Sequence, residues 1–352
     1  MISKRLAATA AALGAAALIA VAVGVARCRT EVGPAIVVPS GGPSRFVDSL
    51  EARAFQRGNI HTHTSLTDGD SPPEDVYAWY RDHGYAFVAV TDHNTVTDPA
   101  AFRGLERPGF VLIPGEEITM TSRGKPVHVN ALCTQRTIGG GDFPSAAAAL
   151  ARGVAEVKAQ DGVALINHPN FEWALTIDDV AAGRGAHLLE IWSGHPYVRI
   201  EGDLLRPSNE AIWDAVLTRG ETFAGVAVDD MHHLSPAAPD PAARPGRGWV
   251  EVFSPETTGP AICDGLRRGR LYASNGASFT RIAVGGDTLS VSTDAALVEF
   301  IGQRGLVLES VRPAAGAGEV TYRLRGGERY VRARVTDATG KRAWTQGYRV
   351  AP

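Results

Sequence analysis

From residue 57 onward, short apolar runs alternate with stretches of helical spacing. Residues 59–62 and 86–91 (AFVAVT) read as strands. Between them 73–83 (PEDVYAWYRDH) reads as a helix, with Ser71 as its N-cap and Gly84 as its stop. Strands follow at 110–118 and 127–132, then an Ala-rich helix from Ser145 to about Gln160. Residues 163–167, 188–192 and 223–228 read as further strands, with a helix over 208–218 and another over 256–268. Strands separated by helices predict βα units on a parallel sheet. Six or more such units over about 200 residues predict a closed (β/α) barrel. After about residue 275 the period changes to two, in runs such as TLSVST, ALVEFIG and YVRARVTD, with Gly, Asp and Pro between them. That pattern predicts a small all-β sandwich. Pro34, Pro39, Gly41, Gly42 and Pro43 mark 29–56 as a linker, and no internal repeat is present.

The first residues read as an address. Lys4 and Arg5 precede an uncharged apolar run of 21 residues, 6–26. A secretory core is about 7–15 residues and a membrane-spanning helix about 20, so the run is a signal sequence or, by its length, an uncleaved anchor. Cys28 invites a lipoprotein reading, which Arg27 argues against, since a small residue is expected there. Either form of targeting predicts an exported chain, periplasmic or extracellular, in contact with the membrane if uncleaved. Cys133 and Cys263 could then pair, although spacing does not bring them together. Composition adds exclusions. The chain has 352 residues, 35 basic against 38 acidic, 44% hydrophobic and 21% charged. Those values exclude a disordered chain, a coiled coil and a multi-span membrane protein. The near-neutral balance points to no nucleic-acid partner.

The candidate chemistry lies just after the strands. His61 and His63 stand in GNIHTHTSLTDG, where a two-residue spacing on a strand puts both rings on one face. Asp68 follows, before Gly69. Asp92 and His93 end one strand and Glu116 and Glu117 another. His128 lies in KPVHVNAL, His168 in INHPN, and Asp230, His232 and His233 in VAVDDMHH. Seven of the ten histidines thus sit at strand ends beside acids, whereas His83, His187 and His195 have ordinary helix, strand and loop settings. In a (β/α) barrel the C-terminal strand ends gather on one face. Imidazole and carboxylate without thiolate suit Zn²⁺, Mn²⁺, Fe²⁺ or Co²⁺.

The series resembles the polymerase and histidinol phosphatase (PHP) superfamily. HTHTSLTDG is similar to its first motif, TDHN to its second, GEEI to its bridging-glutamate motif, NHP to its fourth-region histidine and DMH to its closing Asp-x-His, over roughly 58–233. The resemblance implies a distorted (β/α)₇ TIM-like barrel over 57–272, followed by the β sandwich module over 273–352. It implies two or three divalent ions: one at His61, His63, Glu117 and Asp230, a second at Glu117, His128 and His168, a third at Asp68, His93 and His232. Glu117, Asp230 and His232 would be the residues of the reaction centre. Glu116 and Asp229 compete for the ligand roles; GxEI and Asp-x-His favour Glu117 and Asp230. The acids left over, and Asp92, would orient ligand imidazoles. The whole-chain layout looks similar to exported carbaryl-hydrolase-like metallohydrolases.

Three functions remain in view. The first is a metal-dependent phosphoesterase acting on a small-molecule phosphoester, with Lys125, Arg184, Arg199 and Arg206 on loops that could reach the phosphate, although exposed cations are usually solvated. Asn170, Ser193 and Glu190 are further candidates to face the pocket. The second keeps the metals and cleaves a carbamate, amide or ester. The third is a non-catalytic metal domain whose β module binds a glycan through Tyr330, Trp344 and Tyr348, though aromatics at strand spacing are more often core. Oligomeric state is not legible.

Overall fold

The computed structural model describes residues 35–37, 48–314 and 318–351. The leader and anchor readings of the N-terminus fall outside the described residues. The helices form close to where the spacing places them. Pro73–Asp82 opens on Pro73 at its first position, behind Pro72 at the cap; the rigid prolines set the entry in place of Ser71. Glu74 and Asp75 complement the positive end of its dipole, and Val76, Tyr77 and Tyr80 form its buried stripe. Gly84, at φ 78°, stops it. Ser145, Ser208 and Thr258 cap the helices Ala146–Ala159, Asn209–Thr218 and Gly259–Arg267, each hydroxyl accepting from the backbone N–H three residues on.

The architecture is a mixed α/β fold. Among the described residues the strands of the site region lie in two ladders, and no continuous closed barrel ladder runs through them. Phe55–Asn59, Phe87–Ala89 and Val111–Ile113 run parallel in one. A second orders Ala224–Val228, Leu188–Ser193, Val163–Ile166, Lys125–Leu132, Gly115–Ser122 and Gly141–Phe143. The second ladder departs from the βα pattern at Arg123 and Gly124. Their φ values of 53° and 73° make a two-residue hairpin turn. No crossover helix fits there, so Lys125–Leu132 returns antiparallel and pairs antiparallel with Val163–Ile166 as well. Two single parallel bridges join the two sheets, Thr62 to Met231 and His93 to Glu117. Both stand among the candidate site residues.

The C-terminal strands form two facing layers. Arg281–Gly285 and Thr288–Ser292 lie in one, Leu297–Ile301 and Tyr330–Thr336 in the other. Ile282, Val284, Leu289 and Val291 pack against Val298, Phe300, Val331 and Val335, each side chain contributing about 1.5–3 kcal/mol on burial. The second layer is continuous with the first sheet of the site region, through Ala273 paired to Trp344 and Ser274 to Ala343. The segment read as a linker also supplies strands: Asp48–Glu51 pairs with Arg281–Gly285, and Ala35–Val37 with Tyr348–Ala351. Those strands are too short to show periodicity. Tyr330, Trp344 and Tyr348 are buried, so they offer no sugar platform. Cys133 and Cys263 are disulfide-bonded, tying the loop after Lys125–Leu132 to the helix Gly259–Arg267.

Candidate metal centre

The strand Phe55–Asn59 ends before the HTH motif, but the bridge from Thr62 to Met231 keeps the chain extended. Alternation therefore persists, and the His61 and His63 rings point to the same side, with centroids 5.2 Å apart. Both are buried. Gly69 turns the chain against the His63 backbone, where an added Cβ would lie 2.8 Å from the carbonyl, and this close turn carries Asp68 back beside the rings.

Glu117 stands at the centre. Its Oε2 lies 3.3 Å from His61 Nε2, 3.2 Å from His63 Nε2 and 3.3 Å from His93 Nδ1. Its Oε1 lies 2.8 Å from His128 Nδ1 and 3.3 Å from His168 Nε2. One carboxylate thus faces two sets of imidazoles with its two oxygens. Asp230 Oδ1 is 3.4 Å from both His61 Nε2 and His63 Nε2. Asp68 completes the outer rim: Oδ1 is 3.4 Å from His63 Nδ1, and Oδ2 is 3.2 Å from His93 Nε2 and 3.4 Å from His232 Nε2. All nine residues singled out as ligands converge on this centre.

Three groups have ligand atoms within 4.8 Å of one another: His61, His63 and Asp230; His61, Glu117 and His168; and His63, Asp68, His93 and His232. The groups overlap at His61 and His63. Glu117 Oε1 faces both His128 and His168, the pair the resemblance sets beside it.

These residues fit divalent metal. His61 Nε2 and both ring nitrogens of His63 and His128 are buried without a hydrogen-bond partner, although carboxylate oxygens stand 2.8–3.4 Å away. A buried polar atom left unpaired costs about 1–3 kcal/mol, so five in one place mark groups arranged for something other than each other. Charge is equally out of balance. Burial opposes ionisation throughout the cluster, and the neighbours override it. Asp230, Glu117 and Glu190 hold the His61 imidazole well above its usual range, and the Asp230 and Glu117 carboxylates, 3.4 and 3.2 Å from His63 Nε2, push that imidazole up to about 9. His128, His61 and His168 hold Glu117, and His61, His63 and His232 hold Asp230, well below the usual carboxylate range. His128 goes the other way, because burial outweighs the pull of Glu117.

The acids that compete for the ligand roles separate cleanly. Glu116 turns away on the other face of its strand and accepts from Ile138 N and Gly139 N, both at 2.8 Å. Asp229 accepts from the backbone N–H of Gly246, Arg247 and Gly248 and from the Tyr80 hydroxyl. Asp92 accepts from Thr64 N and from the hydroxyls of Thr64, Thr67 and Thr97. None of the three orients an imidazole; each clamps a loop that borders the centre. The reason is local. At each doublet one side chain faces the centre, so its neighbour faces the loops behind.

The orienting role falls to Glu190 instead. Its Oε1 is 2.6 Å from His61 Nδ1 and its Oε2 accepts from His168 N at 2.8 Å. Asn167 donates to Glu117 Oε1 at 2.7 Å, and Thr119 Oγ1 is 2.5 Å from His93 Nδ1. A carboxylate inside the apolar run LLEIW carries the signal for Glu190, since a charge in a buried strand needs a partner. His195, set aside in the sequence as a loop residue, stands beside the centre, its ring 5.1 Å from that of His232. Two positions past a strand end, it obeys the same placement rule as the other site histidines. Burial, with His232 and the other imidazoles, pushes its pKa down to about 4.

The expected phosphate cations are otherwise engaged. Lys125 Nζ donates to the carbonyls of Glu172 and Trp173, and Arg184 pairs with Glu221. Arg199 and Arg206 lie over the Trp173 ring. Asn170 donates to the carbonyls of Arg199 and Pro207, and Ser193 Oγ accepts from His195 N.

No family model matches the sequence, and no curated protein matches it. Among solved structures, the chain is similar to a two-domain Bacteroides vulgatus protein containing a predicted PHP-like metal-dependent phosphoesterase. Identity is 16%, with 89% of this chain and 98% of that one covered and a TM-score of 0.45. It is also similar to an amidohydrolase from Chromobacterium violaceum with bound sulfate and no metal, at 16% identity, with 51% of this chain and 88% of that one covered and a TM-score of 0.36.

Proposed function

We propose that this chain is an exported PHP-type metal-dependent hydrolase acting on a small-molecule phosphoester. The carrying observation is the set of three abutting His/carboxylate groups, two of which share His61 and two His63. His61, His63, Glu117 and Asp230 would hold one ion, Glu117, His128 and His168 another, and Asp68, His93 and His232 a third. Bound there, divalent ions bring the pKa of water towards neutrality and shield phosphoryl oxygens.

Charge favours phosphate over an uncharged amide. The carboxylates of Asp68, Glu117, Glu190 and Asp230 would balance four of the six positive charges of a fully loaded centre. The surplus of two matches a phosphomonoester dianion without a lysine or arginine in contact. Glu190 fixes the His61 ring from behind through Nδ1, leaving Nε2 to face inward. The Tyr197 N–H donates to His195 Nδ1, so the neutral imidazole carries its proton on Nε2. His195 can thus offer an N–H to a substrate oxygen at the mouth. In the net reaction the water oxygen bonds to phosphorus, the ester P–O bond breaks, and one water proton ends on the departing oxygen.

A second reading, hydrolysis of a carbamate, amide or ester, draws on the absence of any lysine or arginine paired with the nine residues among those described. It is also the reading of the carbaryl-hydrolase-like layout. Export draws on the Cys133–Cys263 disulfide, which persists in oxidising compartments. The test is turnover of phenyl phosphate, a phosphodiester and an aryl carbamate by protein loaded with Mn²⁺, Zn²⁺ or Co²⁺. Phosphoester turnover that disappears in His61→Ala supports the proposal. Turnover of the carbamate alone moves the assignment to the second reading.

A further inference from the structure

Beside the centre the backbone holds an unusual turn. Glu172 and Trp173 are consecutive non-glycine residues in the left-handed region, at φ 49° and 57°. Such residues persist only where their surroundings over-determine them, and they cluster at functional sites. Here the restraint is visible. Lys125 Nζ donates to Glu172 O at 2.9 Å and to Trp173 O at 3.3 Å. The guanidinium carbons of Arg199 and Arg206 stand 4.9 and 4.7 Å from the Trp173 ring centre. The turn presents Phe171. Its ring lies 5.1 Å from that of His168, 6.4 Å from that of His128 and 6.1 Å from that of His195.

Phe171 also lines a cleft of about 360 Å³ with Glu172, Pro196, Tyr197 and Arg199. Phe171 therefore forms the wall between the imidazoles and the cleft. A substrate whose reacting group sits against His168 directs its substituent over this ring. Tyr197, 63% exposed, and Pro196 complete the lining of the cleft. Two aromatic side chains and the apolar proline ring suit an aromatic ring, which packs there without losing hydrogen bonds. The rim carries one acid, Glu172, and one guanidinium, Arg199, whose charges oppose each other. The cleft therefore discriminates by shape and apolarity rather than by charge.

We propose that this cleft is the leaving-group subsite, that it takes an uncharged aromatic ring, and that Phe171 and Tyr197 set that preference while Lys125 positions the turn. The inference rests on the hydrolase reading for the word leaving-group, but the ring site itself does not. The test therefore has a binding arm and a kinetic arm, both on the full chain. Ligand-observed saturation-transfer NMR with phenol and n-butanol as probes reads binding without turnover. Phenol receives saturation and butanol does not; Tyr197→Ala, a change at an exposed position, removes the phenol signal with circular dichroism unchanged. In the kinetic arm, Tyr197→Ala lowers kcat/KM for phenyl phosphate roughly three- to tenfold and leaves ethyl phosphate unchanged. Phe171→Ala also removes the phenol signal, and Lys125→Met raises KM for phenyl phosphate with kcat nearly kept. Equal phenol signals in Tyr197→Ala and the native protein, or equal losses for phenyl and ethyl phosphate, overturn the proposal. Phenol binding that depends on Tyr197 in a protein that turns over no ester supports the ring site and overturns the hydrolase reading instead.

Discussion

Two buried charged clusters in this molecule invite comparison. One joins the helix Asn209–Thr218 to the C-terminal layers. There Arg332 donates from Nε and Nη2 to Asp214 at 2.8 and 2.7 Å, and from Nη2 to Glu210 at 2.7 Å. Arg334 donates to Glu210 and Glu299, and the Tyr330 hydroxyl to Asp214. The other cluster is the imidazole centre, where five buried ring nitrogens of His61, His63 and His128 have no hydrogen-bond partner. In the first, directional donors meet nearly every acceptor, although Arg332 Nη1 lacks a partner. In the second, acceptors face acceptors or share protons that burial disfavours. A buried charged cluster that satisfies itself belongs to the fold, and one that does not is arranged for a cation.

The sharpest way to break this contrast is Arg332→Met. It leaves Asp214 and Glu210 buried without their main donor and is expected to cost about 3–5 kcal/mol of stability. Denaturant unfolding reads that loss, while metal content per chain stays as in the native protein. Glu117→Gln is expected to do the reverse. Turnover falls on the order of 10²- to 10³-fold, as for loss of a central electrostatic group, with the unfolding midpoint of metal-free protein held or raised. If Glu117→Gln instead unfolds the protein with activity per folded molecule kept, the two clusters do not differ in kind. Glu190→Gln touches the centre only through His61 and the His168 backbone; metal affinity is expected to fall about 10- to 100-fold, measured by competition with a chelator.

The smallest expected effect is one of pH. In metal-free protein the His63 pKa stands above its unfolded value, at about 9 against 6.5. A group raised on folding contributes stability that is full below the unfolded pKa and is lost as pH rises through the folded one. Metal-free protein should therefore lose on the order of a few degrees in Tm between pH 6.5 and 9. Loaded protein should not, since metal affinity rises as the imidazoles lose protons. Parallel curves with and without metal would remove the imidazole centre from the comparison.

The sequence carried the site better than the fold. The strand-end rule picks out His61, His63, His93, His168, Asp230 and His232 because apolar runs and their ends are visible in one dimension; Glu117 and His128, inside Gly115–Ser122 and Lys125–Leu132, were legible through the motif resemblance instead. It cannot say which of two adjacent acids faces inward, because that depends on a twist of the strand set by the partner across the sheet. Glu116 and Asp229 were therefore legible as candidates and not as loop clamps. The antiparallel step of the second sheet was hidden in a two-residue turn, Arg123 and Gly124, inside a segment that otherwise repeats the βα pattern. Phe171 escaped because loops carry no period and its place beside the imidazoles arises from long-range packing, whereas His195, two positions past Leu188–Ser193, was within reach of the strand-end rule.

The central claim is that the nine convergent residues are a metal centre. The direct measurement is the metal content per chain of the full-length protein, by elemental analysis after equilibration with Mn²⁺ or Zn²⁺ and removal of free ion, beside Glu117→Gln treated in the same way. Three ions per native chain, falling in the variant, is the predicted result. Trace metal in both, or the same content in both, would contradict it.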